Sequence, residues 1–92
     1  MGVKAVRFCP HAVKKFEDLR RYNVIITREQ VEETVCQPDR REAGKKGRMV
    51  ATRGFTEHRV LRVIYREVED AFEIVTFYPG RRSRYEDPLR QE

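Results

Sequence analysis

Two apolar runs in the C-terminal third of the chain, Val60 to Tyr65 and Phe72 to Tyr78, constrain its fold more than any other feature. Both are rich in β-branched and aromatic residues, and only a short acidic link, Glu67 to Ala71, stands between the strands they predict. Runs this short and this close bury themselves together as neighbouring antiparallel strands of a hairpin. Neither has a clean polar side, as expected of central strands covered by helices on one face and partly covered on the other. Simple alternation sets Leu61, Val63 and Tyr65 against Val60, Arg62, Ile64 and Arg66 on the first strand. On the second it sets Phe72, Ile74, Thr76 and Tyr78 against Glu73, Val75 and Phe77.

The N-terminal half supplies the cover. Val3 to Phe8 alternates imperfectly and predicts a short edge strand that stops at Pro10. From His11 the period lengthens, and Ala12, Phe16 and Leu19 form the apolar stripe of an amphipathic helix that Asn23 can close in the left-handed conformation. A second helix is marked by Thr27 as N-cap, Gln30 completing a capping box, and Ile26 and Val31 at the positions of a hydrophobic staple. Its apolar side is Val31, Thr34 and Val35, and Glu29, Glu32 and Glu33 complement the positive end of the helix dipole.

Pro38 ends that helix, Arg40 to Ala43 reads as a short strand, and the glycines of Gly44 to Gly47 permit a turn. Arg48 to Phe55 then forms a strand with Met49, Ala51, Arg53 and Phe55 on one side, followed by a turn at Thr56 to His58. The predicted class is α+β: two N-terminal helices packed on one face of an antiparallel meander sheet of three to five strands. Residues 1–92 are read as a single domain, since the chain has no length for a second core.

Composition narrows the partners. The formal net charge of +5 favours a polyanion, because every phosphate neutralised releases a counterion. Cys9 and Cys36 have neither chelate spacing nor the density of a disulfide scaffold, so reduced thiols, no metal and no cofactor are expected. With no P-loop, dinucleotide fingerprint, signal sequence or membrane-spanning run in the sequence, the expected setting is the cytoplasm.

The succession of a short strand, His11 and Ala12 opening a helix, ITREQVEETV followed by PDR, a GKKGR turn, and LRVIYRE with IVTFYP resembles a family of small bacterial and archaeal domains similar to the RelE/ParE toxin superfamily, BrnT-like toxins included. The resemblance covers nearly the whole chain. It implies a RelE-like fold and, in toxin members, a metal-independent endoribonuclease that cuts mRNA, often on the ribosome, and is restrained by an antitoxin. Catalysts of that type use Arg, Lys and Tyr, sometimes His. The matching positions are Arg62, Arg82, Arg84 and Tyr85, with Arg81 beside them.

RNA cleavage without a metal needs a base for the 2′-hydroxyl, an acid for the leaving oxygen and cations for the charge that builds on phosphate. Arg62, Arg82 and Arg84 suit the last role, Tyr85 offers a phenol, and His11 at a helix start is a candidate base. Lys45, Lys46, Arg48 and Arg81 are the candidate RNA-binding cations. Tyr65 and Tyr78 would stack a base if they faced outward, although tyrosines in apolar strands are more often core. Two readings stand: an RNA-binding domain of toxin–antitoxin type that also cleaves, or a non-catalytic binding module of the same fold for a protein partner such as an acidic antitoxin segment. The glutamate-rich second helix argues against duplex DNA recognition.

Overall fold

The computed structural model describes residues 5–82. In chain order these form β1 (Ala5–Phe8), α1 (Pro10–Arg20), α2 (Arg28–Cys36), β2 (Arg40–Ala43), β3 (Met49–Gly54), β4 (Arg59–Val68) and β5 (Ala71–Arg81). The class is α+β, with two helices on a five-stranded mixed sheet of order β1-β5-β4-β3-β2.

Both helices begin and end where local chemistry dictates. Pro10, whose fixed φ suits a first turn, opens α1 directly after β1. The helix ends at Arg20 and the chain turns out of it at Asn23, which takes φ 63°; there the Val24 N–H donates to Leu19 O and the Asn23 N–H to Arg20 O, the bonding of a Schellman motif. In α2 the capping box forms as predicted: the Gln30 N–H donates to Thr27 Oγ1 at 3.1 Å, and the Thr27 N–H donates to Gln30 Oε1 at 2.9 Å. Val31 and Val35 of α2 are fully buried, each removing apolar surface worth about 1.5–3 kcal/mol.

The hairpin of β4 and β5 lies near the centre of the sheet, as the apolar runs predict. Its strands run to Val68 and from Ala71, so the link is the two residues Glu69 and Asp70, tighter than the Glu67 to Ala71 connection expected. Such loops want a positive φ, and Glu69 supplies it at 56°. The β3–β4 turn falls at Thr56 to His58, where the Phe55 and Thr56 N–H groups donate to Arg59 O.

The expectation of a wholly antiparallel meander holds only for β2 through β5. β1 lies parallel to β5, from Ala5 beside Ala71 to Phe8 beside Ile74, and the Cys9 N–H extends the ladder to Ile74 O. No hairpin ties β1 to a neighbour, because the chain leaves it straight into a helix and returns only after a second one. The chain is therefore free to dock β1 in the sense that brings Val6 and Phe8 under the helices, alongside Phe72 and Ile74. Among the described residues this pairing ends at Ile74, leaving the later part of β5 without a partner on that side, where Pro79 is tolerated.

One core forms between the helices and the sheet face of Leu61, Val63 and Tyr65, joined by Ala51, Phe72, Ile74 and Phe77 and by Ala12, Ile26, Val31 and Val35. Aromatic contacts order it: Phe16 lies 4.6 Å from Phe77, and Tyr65 meets Phe72 edge-on at 5.1 Å. Tyr65 is thus a core residue and does not face outward to stack a base. Burial raises its phenol pKa above the ordinary 10.0; the nearby Arg41 charge works against that shift and Glu67 adds to it.

Strict alternation fails once, in β5. Ile64 pairs with Thr76 while the next residue, Tyr65, pairs with Ile74, so Val75 is an extra residue in a bulge. The bulge puts Phe77 on the helix side with Ile74 and turns Thr76 and Tyr78 to the other face. Cys9 Sγ lies 3.4 Å from the bulge carbonyl of Val75, within reach of a thiol hydrogen bond.

Candidate functional site

The face of the sheet opposite the helices carries an unusual residue at its centre. Arg62 follows Leu61 and precedes Val63, both in the core, so the pleat directs it to the other face. There it stands in a cross-strand row with Arg40, Thr52 and Tyr78. Only 9% of Arg62 is exposed. A guanidinium withdrawn from water to that extent needs partners. Its Nε donates to Tyr78 Oη at 3.0 Å, Nη1 reaches Thr52 Oγ1 at 3.4 Å, and Nη2 lies 3.8 Å from Glu42 Oε2. Among the described residues no buried side-chain nitrogen or oxygen lacks a hydrogen-bond partner.

The bulge at Val75 creates this arrangement. Without it, Tyr78 would fall on the helix side with Phe72 and Ile74, as simple alternation predicts. With it, the phenol lies beside Arg62 and fixes the orientation of the guanidinium. Sequence reasoning offered Tyr78 only as a residue that would stack a base if it faced outward, and missed its place beside Arg62, because simple alternation cannot register an inserted residue.

Arg62 forms one wall of a cleft of about 520 Å³ that is also lined by Glu42, Ala43, Gly44, Lys45, Arg48, Val50 and Ile64. Among the described residues three cations face one carboxylate there, over a floor provided by Val50 and Ile64. The GKKGR turn delivers its part through backbone geometry: Lys46 at φ 58° and Gly47 at φ 74° reverse the chain, and the Gly44 N–H closes the turn on Arg48 O at 2.7 Å. Lys45 and Arg48 are thereby held over the same cleft as Arg62, whereas Lys46 lies outside its lining.

The remaining predicted residues lie elsewhere. Arg82 sits at the far end of β3 from the GKKGR turn, and its guanidinium caps the β3–β4 turn, donating to Thr56 O at 2.7 Å and Glu57 O at 3.0 Å. Gly54 makes room for it, since a Cβ there would come 2.9 Å from Arg82 Nη2. Arg81 is exposed and pairs in register with Arg59. His11 is exposed in the first turn of α1, in the helix layer, with the sheet between it and Arg62. Arg84 and Tyr85 lie outside the described residues.

A second cleft, of about 650 Å³, runs along α2 and is lined by Glu29, Glu32 and Glu33 together with Thr27, Gln30, Cys36 and Gln37. Its carboxylates repel phosphate. Among the described residues no group of His, Cys, Asp or Glu is placed to hold a metal ion, and no helix is long and apolar enough to cross a membrane. Comparison with protein-family models, curated proteins and solved structures finds no match to the chain.

Proposed function

We propose that the protein is a RelE-like domain of toxin–antitoxin type that binds RNA, with the cleft around Arg62 receiving the phosphate backbone. The observation that carries this reading is the buried Arg62 guanidinium, oriented by Tyr78 and flanked across one cleft by Lys45 and Arg48. A preorganised guanidinium loses little freedom on meeting phosphate, and its fork matches phosphate oxygens. The three cations supply the sequence-independent part of RNA affinity, while the apolar floor leaves space for a sugar or base edge.

Cleavage is the finer part of the proposal. Arg62 is suited to stabilise charge on a scissile phosphate, and the Tyr78 phenol beside it is the nearest group able to exchange a proton. His11, across the sheet, is not placed to act with them. The geometry therefore supports binding more strongly than catalysis, and a cleaving centre would draw its proton-transfer groups from Tyr78, the Glu42 carboxylate in the cleft or a group from outside the described residues.

The test is fluorescence anisotropy with a labelled single-stranded RNA, comparing the protein with Arg62→Gln and with Lys45→Ala/Arg48→Ala, each checked for an intact fold by circular dichroism. Weaker RNA binding in both variants is expected. Incubation of unlabelled RNA with excess chelator then separates metal-independent cleavage from binding alone. Undiminished binding by both folded variants would place the RNA site elsewhere, and capture of an acidic peptide with no RNA affinity would favour the protein-partner reading.

A further inference from the structure

Among the described residues Glu42 is the one carboxylate in the lining of the basic cleft, and its contacts differ from those of Arg62. Arg62 is held from two neighbouring strands by Tyr78 and Thr52. Glu42 stands on the short edge strand β2, with 45% of its side chain exposed, and meets two cations at long range: Arg62 Nη2 at 3.8 Å and Arg40 Nε at 4.0 Å. Tight carboxylate–guanidinium hydrogen bonds run at about 2.7–2.9 Å. At the distances observed the carboxylate is a nearby counter-charge that can move without breaking a short bond.

The position of that charge matters. Glu42 pairs in register with Val50, which pairs in turn with Ile64, so its side chain stands at the head of the row that forms the cleft floor. It lies diagonally across from Arg62, one row away, and next but one along β2 to Arg40. A tetrahedral anion entering between Lys45, Arg48 and Arg62 meets this carboxylate on the approach to Arg62.

From this arrangement we infer that Glu42 is a built-in competitor for the anion site: its carboxylate offsets the charge of Arg62 in the empty cleft and is displaced toward Arg40 when a phosphate group binds. The inference rests on the reading of this cleft as the site that receives RNA phosphate, and adds the residue that weakens and discriminates binding there. An anion able to engage Lys45, Arg48 and Arg62 together displaces the carboxylate; one that reaches a single cation does not. Glu42 thereby selects for a phosphate seated deep in the cleft over superficial attraction to a basic surface.

Inorganic phosphate is the probe, followed by NMR through the Arg62 Nε–H resonance at constant pH and ionic strength. The comparison includes the protein, Glu42→Gln, and Glu17→Gln as a control that makes the same charge change on the exposed face of α1. Glu42→Gln lies on an exposed edge strand and keeps the shape of the side chain, so the fold is retained. The expected result is about two- to five-fold tighter phosphate binding in Glu42→Gln, the range of a partly exposed ion pair, with no change in Glu17→Gln.

Equal affinity in all three proteins, an equal gain in both variants, or no phosphate-dependent shift at Arg62 would each overturn the inference. The RNA reading fails separately. A gain for phosphate in Glu42→Gln together with no RNA affinity in any of the three proteins would uphold Glu42 as competitor and remove RNA as the ligand.

Discussion

Replacing Lys45 and Arg48 with alanine removes two of the three cations in the cleft and leaves Arg62 with its hydrogen bonds to Tyr78 and Thr52. The β2–β3 turn should survive, because its closing bonds are made by backbone groups and its positive φ values belong to Lys46 and Gly47, which are untouched. For single-stranded RNA each neutralised phosphate contributes about 0.7 to the slope of log affinity against log salt. Three contacts thus give a slope of about −2.1, and the double variant, with one contact left, about −0.7. Between 50 and 200 mM salt the parent should lose roughly twentyfold in affinity and the variant roughly threefold.

The assay is anisotropy of a labelled single-stranded RNA at four or more salt concentrations, with Lys14→Ala/Lys15→Ala on α1 as a control for net charge. The parent and the α1 variant should share the steeper slope. A slope unchanged by Lys45→Ala/Arg48→Ala, or lowered equally by the α1 pair, would refute the assignment of the backbone to this cleft.

The fold itself yields further expectations. Glu69→Gly should stabilise the protein by about 0.5–1 kcal/mol in urea unfolding, since Glu69 holds φ 56° in a tight hairpin loop where glycine is unstrained; destabilisation would mean that the Glu69 side chain matters more than its backbone. Arg82→Ala should cost about 0.5–1.5 kcal/mol and Gly54→Ala no more than that, since the guanidinium end can swing aside; because the new Cβ acts by displacing the Arg82 guanidinium, their effects should fall short of additive, and full additivity would disprove that coupling. Tyr65 gives a pH dependence. Its pKa is raised in the folded state, so the stability it contributes is complete below about pH 10, the ordinary tyrosine value, and is lost as pH rises from there toward the folded-state pKa. Tyr65→Phe should lessen the alkaline loss of stability, and identical pH profiles would contradict the assignment.

How much of this was legible in sequence depends on whether the cause was local. The capping box of Thr27 and Gln30, the stop at Asn23 and the turns at Gly44 to Gly47 and Thr56 to His58 are set by a few adjacent residues, and each formed where expected. The central hairpin was equally plain, because its two apolar runs have no other way to bury themselves. The parallel docking of β1 was not legible, since it depends on where two helices return the chain and not on any residue within Ala5–Phe8.

The site divides in the same way. Arg62 was identifiable as a charge in an apolar strand, and the GKKGR turn as a basic loop. Their meeting at one cleft follows from β3 lying between β2 and β4, a matter of topology. Tyr78 was grouped with Phe72 and Ile74, which lie on the opposite face, because period two cannot register the bulge at Val75. Arg82 looked like one more cation in GRRSRY; its use in capping the turn carbonyls depends on Gly54, distant in sequence, leaving space for it.

The central claim is that RNA phosphate is received on the sheet face opposite the helices, at Arg62. Its most direct test is an NMR titration of the isotopically labelled protein with a short single-stranded RNA, reading the Arg62 Nε–H together with the backbone amides of both faces. The account predicts saturable shifts at Arg62, Thr52, Tyr78, Lys45 and Arg48, with the amides of Glu29 to Glu33 on α2 unmoved. Shifts centred on α1 or α2, with Arg62 unchanged at saturating RNA, would contradict it.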